Sequence, residues 1–162
     1  IPALVVFATA YFVMKSFMDV EYKKQMLLIK KDGQKLITPL RLQAFERVVL
    51  FLERISLNKL VLRMHQPEMT AKVLKDVLIT TINNEFEHNI AQQIYISSSS
   101  WEAVKKTKSD IITIIKLAFK QVPPTAKGSE LGQKIFEMLT KLEKSPTQTA
   151  IRILKNEIRQ LF

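Results

Sequence analysis

Cysteine is absent from the 162-residue chain, and glycine occurs only three times. Without thiols there is no disulfide staple, no thiolate nucleophile and no Cys-ligated zinc or iron–sulfur centre. A cysteine-free chain is also compatible with a reducing compartment. The shortage of glycine leaves neither G-x-x-x-x-G-K-S/T nor G-x-G-x-x-G, the loops whose backbone N–H groups approach phosphates closely. Only two histidines are present, His65 and His88, and neither stands beside a nucleophile-elbow sequence. An Arg-rich arm, an RNP-type aromatic motif and zinc-finger spacing are likewise missing. These absences point to a non-enzymatic protein that needs no cofactor.

Positive charge is what the chain has in excess, +10 at neutral pH. Every stretch from Lys15 onward is net basic except residues 65–100, which are net acidic. Such a balance suggests an anionic contact. The densest basic cluster, Lys105-Lys106-Thr107-Lys108, reads as a solvated helix face.

Residues Ile1 to Met14 carry no charge and are followed by Lys15, Lys23, Lys24, Lys30, Lys31 and Lys35. This pattern predicts a transmembrane helix over residues 1–18, running on through Ser16, Phe17 and Met18 with Lys15 snorkelling, or beginning upstream of Ile1. A core helix is the alternative for so short a run. Ala8-Thr9-Ala10 has the small-x-small pattern of a signal cleavage site but lies inside the apolar stretch. Residues 19–36 then read as a juxtamembrane basic helix and turn, with Lys15, Lys23, Lys24, Lys30 and Lys31 as candidate lipid-headgroup contacts. Residues 37–162 read as a cytoplasmic helical-bundle domain. The basic flank predicts an inner-membrane protein of one span with its C-terminal domain in the cytoplasm. Ala3, Ala8, Thr9 and Ala10 would let a partner span pack closely.

Beyond the apolar start, three-to-four spacing of apolar residues predicts an all-α fold, a bundle of about five helices after the span. Asp32-Gly33 reads as a helix stop and Thr38-Pro39 as the next start. Phe45, Val48, Val49, Leu50, Phe51, Leu52 and Ile55 should make a central helix, with Glu46, Arg47, Glu53 and Arg54 on its polar face as solvated ion pairs. A short helical turn or linker at Leu57 to Met64 precedes one long helix whose apolar stripe is Leu74, Leu78, Ile82, Phe86, Ile90 and Ile94. The segment Gln93 to Ser97 reads as its end or as extended chain. Ser99 and Glu102 fit a capping box opening a helix that buries Val104, Ile111, Ile115, Ala118, Phe119 and Val122. Pro123-Pro124 ends it. Leu131, Ile135, Met138, Leu139 and Leu142 form the next stripe. Ser145 to Gln148 reads as a second capping box, before an inward face of Ile151, Leu154, Ile158 and Leu161.

The best chemical constellation is Glu85-Phe86-Glu87-His88, in which Glu85 and His88 at i, i+3 share a helix face. Di-iron bundles use two such pairs, and here the residue three before His65 is Leu62, so a metal-dependent enzyme is the remote alternative. With Gln92 and Gln93, the residues Glu85, Glu87 and His88 form the candidate partner surface. The segments Gln43 to Ile55 and Glu85 to Tyr95 resemble a family of uncharacterised bacterial single-span membrane proteins with a small cytoplasmic helical domain. That resemblance implies architecture and inner-membrane location and supplies no activity. The function expected is a non-enzymatic interaction or accessory subunit of a larger membrane assembly, with membrane lipid and membrane-protein partners. A tether for an anionic partner, nucleic acid, the ribosome or a lipid surface, is the alternative.

Overall fold

The structure, a computed structural model, describes residues 2–161, except the side chains of residues 2–5, Asp32 and Leu161. Six α-helices follow one another among the described residues: α1 Pro2–Arg54, α2 Leu57–Met64, α3 Ala71–Asn89, α4 Ser98–Lys120, α5 Gly128–Thr140 and α6 Pro146–Leu161. A 3-10 turn, Ile90–Ile94, joins α3 to α4. The all-α expectation holds. The chain divides into two compact units, Ile1–Leu40 and Arg41–Phe162, and α1 contributes to both.

The break expected at Asp32-Gly33 and Thr38-Pro39 does not occur, because α1 runs through both. No glycine takes a positive φ, so Gly33 does not form the left-handed cap that stops a helix. Pro39 removes one ladder donor, opposite the Lys35 carbonyl, and the hydrogen-bonded turns on either side persist. A single missing bond in an exposed helix interrupts it less than the sequence suggests.

The transmembrane expectation is corrected. Among the described residues no helix is long and apolar enough to cross a membrane. The uncharged run ends at Met14. Lys15, Asp19, Glu21, Lys23 and Lys24 follow it within the same helix. The reading of residues 1–18 as a span, and with it the single-span inner-membrane placement and cytoplasmic orientation, is therefore not retained. Ile1 lies outside the described residues.

In the second unit the core follows the apolar spacing. Ala44, Phe45, Val48, Phe51, Leu52 and Ile55 of the α1 end are buried with Leu74, Leu78 and Ile82 of α3 and Val104, Ile111, Ile115 and Ala118 of α4. Leu131 and Ile135 of α5 and Ala150, Ile151 and Leu154 of α6 complete it. Helix α4 packs against α3, α5 and α6. Leu50 departs from expectation and is 55 % exposed, facing away from the core beside buried Phe51. Phe86 joins two aromatic neighbours, Phe51 at 5.9 Å and Trp101 at 5.6 Å between ring centroids, the latter stacked at 25°.

Two backbone hydrogen bonds pin the starts of α3 and α5 together. The Ala71 N–H donates to the Ala126 carbonyl at 2.9 Å and the Gly128 N–H to the Met69 carbonyl at 2.7 Å, around an antiparallel bridge between Thr70 and Lys127. A Cβ at Gly132 would stand 3.2 Å from Val61 Cγ1, so this glycine lets α5 lie close against α2. The link between α5 and α6, residues 141–144, is exposed at every position.

Candidate functional site

Seven-residue spacing brings Arg47 and Arg54 to one face of α1, and Thr81, Asn84, Glu85 and His88 recur at three to four on α3. Together with Asn89 these side chains line an open groove of about 470 Å³. Arg54 closes one side, its Nη1 donating to both Glu85 carboxylate oxygens at 3.1 and 3.2 Å. The Asn89 amide donates to the Glu85 carbonyl at 2.8 Å, and Arg63 Nη2 to the Arg54 carbonyl at 3.2 Å. The ion pairs expected within Glu46, Arg47, Glu53 and Arg54 do not form. Side chains one apart diverge around a helix, and Glu53 pairs instead with Lys59.

His88 Nδ1–H donates to the Asn84 carbonyl at 2.6 Å, which in the neutral ring leaves Nε2 as an outward acceptor. Arg47 has no hydrogen bond or ion pair among the described residues. The groove therefore offers a free guanidinium, the second ring nitrogen of His88 and the Asn84 amide. Glu85 and His88, paired from their spacing, do share this site. Glu87 does not line it, because two residues on from Glu85 it faces the other side of α3, and Gln92 and Gln93 do not because they lie in the 3-10 turn beyond the end of that helix. Among the described residues no group of three or more His, Asp and Glu could hold a metal ion. The five lysines read as headgroup contacts, Lys15, Lys23, Lys24, Lys30 and Lys31, are all exposed along α1, and the role given them rested on an adjacent span.

A second polar cluster escapes the sequence altogether. Helix α4 begins at Ser98 with Ser97 as its cap, not Ser99, and the Ser97 hydroxyl accepts from the Ser100 N–H at 3.3 Å. Glu102, expected in the capping box, pairs with Lys105. The carboxylate that a capping box would supply comes from α6. Glu157 accepts the Ser97 N–H at 3.0 Å and the Ser97 hydroxyl at 2.7 Å. Arg41 stands 3.6 Å from the same carboxylate and donates through Nε to the Tyr95 carbonyl at 3.1 Å. Burial pushes the Glu157 carboxyl up, but hydrogen bonds from Ser100 and Ser97 and the Arg41 charge outweigh it and hold it below the usual carboxylate range.

A third feature is basic. Lys75, Asp76 and Ile79 of α3 face Lys116, Phe119 and Lys120 of α4 across a groove of about 400 Å³. Lys75 Nζ lies 4.6 Å from the centre of the Phe119 ring and 3.0 Å from Asp76. The i, i+4 spacing of Lys116 and Lys120 was legible; their opposition to Lys75 was not.

A family model, the Family of unknown function (DUF7935), matches residues 1–161. The chain belongs to that family. The resemblance to an uncharacterised family thus holds, while the membrane architecture attached to it does not find support in the helices described. No curated protein and no solved structure matches the chain.

Proposed function

We propose that this DUF7935 chain is a non-enzymatic interaction module, an accessory subunit that docks a polar, carboxylate-bearing segment of a partner protein in the groove between α1 and α3. The observation that carries it is the unspent hydrogen-bonding capacity of the lining: Arg47, Asn84 and His88 point outward while Arg54 and Glu85 hold the walls. Arginine in such a place suits carboxylate recognition, since its planar fork presents paired donors. The rigid floor behind it, Phe51 against Phe86 against Trp101, keeps both helices in register. Affinity purification with quantitative mass spectrometry tests this. Arg47→Glu combined with Asn84→Lys should reduce a stoichiometric partner by about tenfold or more, the effect of losing one or two anchor contacts. Lys144→Glu, on the exposed α5–α6 link, should leave recovery intact. Equal recovery with both variants would remove the groove from consideration.

The basic groove favours a second reading, an anionic partner such as nucleic acid or the ribosome. Lys75, Lys116 and Lys120 converge there from two helices. Binding to ribosomal RNA should then weaken steeply with salt, and Lys116→Gln with Lys120→Gln should lower the log–log slope by about two, one per phosphate contact. A flat salt response would sink this reading.

A further inference from the structure

In the first unit the large apolar side chains of α1 among the described residues are exposed, and such a face calls for a cover. Between Tyr22 and Leu40 most of them are also ordered, with Leu27, Leu28 and Ile37 lying off the row. Tyr22, Met26, Ile29, Gly33, Leu36 and Leu40 fall at alternating steps of four and three, the heptad seam of a left-handed coiled coil. The five large members are exposed by 44 to 75 %. A Cβ at Gly33 would meet nothing within 4 Å, so that layer is open to a close neighbour. Lys24, Lys31 and Thr38 mark the opposite face, where solvent is expected. The heptad period itself says what fits: a helix of matching pitch, since knobs on a 3.5-residue repeat need holes with the same repeat.

We infer that residues 22–40 pair with the same residues of a second copy in a parallel, in-register coiled coil. The seam offers on the order of 600 Å² of apolar surface per copy, near the roughly 800 Å² per partner of a stable standard interface once flanking side chains close over it. The flanking charges choose the orientation. In the parallel arrangement Lys30 lies against Gln25 of the second copy, whereas antiparallel pairing centred on the seam sets Lys30 against Lys30. Pro39 occupies a flanking position and leaves the seam unbroken.

The lack of cysteine supplies the experiment, carried out on the full chain. Leu36→Cys, on the seam, should form a disulfide-linked dimer under mild oxidation, and Lys31→Cys, on the opposite face, at least about tenfold less. Sedimentation equilibrium should find the unsubstituted chain dimeric at micromolar concentration. Ile29→Asp with Leu36→Asp should render it monomeric without altering the emission of Trp101, the single tryptophan, which reports that the bundle remains folded. A folded monomer at every concentration, equal cross-linking from the two faces, or an assembly that survives the double aspartate variant would each overturn the inference.

Discussion

Phe51→Ala is expected to lower the unfolding free energy of the bundle by about 3–5 kcal/mol, the range for truncating a fully buried phenylalanine. Phe51 is 1 % exposed and is the contact by which the α1 end reaches the ring of Phe86. Its loss removes transfer free energy and leaves a cavity, because Phe86 is held on its other side by Trp101 and, through a cation over its ring at 4.3 Å, by Lys108. A domain of ordinary stability, about 5–15 kcal/mol, would lose at least about a fifth of it. Urea denaturation followed by tryptophan emission checks this, with Leu50→Ala as the control. Leu50 precedes Phe51 in the helix but faces solvent, so its truncation should stay within about 0.5 kcal/mol. A similar small loss at Phe51 would mean that residues 41–54 are not part of the cooperative core.

Glu157→Ala should cost about 2–3 kcal/mol, since it strands the half-buried Ser97 N–H and hydroxyl at the start of α4 and leaves the Arg41 charge without its counterpart. The same carboxylate sets a pH dependence. Its folded-state value is depressed, so its contribution is fully present above the unfolded value near 4.5 and is lost as pH falls through the lower folded value. Glu137, held at about 2 by hydrogen bonds from Lys134 and Lys141, titrates on the same acid side, but as an exposed group. The difference in unfolding free energy between the parent chain and Glu157→Ala isolates Glu157. It should shrink on going from pH 6 toward pH 3, and a constant difference would show that the carboxylate is not held in its charged form by Ser97, Ser100 and Arg41.

What the sequence discloses, and what it conceals, separates along the range of the interactions. Leu74, Leu78 and Ile82 fall in the core as their spacing predicts, and the same spacing explains why Ile90 and Ile94 do not. Steps of four advance an apolar stripe about 40° around a helix of 3.6 residues per turn, so four steps past Leu74 it has crossed to the solvent side. Ile90 is 45 % exposed and Ile94 76 %. Leu142 likewise sits beyond the end of α5 and is exposed, while Leu161's side chain lies outside the described residues. The second capping box is partly right: α6 opens at Pro146 after Ser145, but the Ser145 hydroxyl bonds the Thr147 hydroxyl at 2.9 Å. Glu85 and His88 could be paired because three residues on a helix fix a shared face. Arg54 opposite Glu85, Glu157 beneath Ser97 and Lys75 facing Lys116 are juxtapositions 31 to 60 residues apart and between different helices, which no local pattern encodes. The span expectation erred differently, by taking Lys15, Lys23 and Lys24 as the flank of a span, whereas they continue the same helix as the uncharged run.

The bridge between residues 69–71 and 126–128 also decides where the chain can change in length. The loop before α5 is not slack, because Ala126, Lys127 and Gly128 are tied to the start of α3, and added residues there would shift two helices at once. Residues 141–144 carry no such tie. Extra segments, fusion points or new chain ends are best accommodated at that link, which leaves α5 and α6 on their existing contacts.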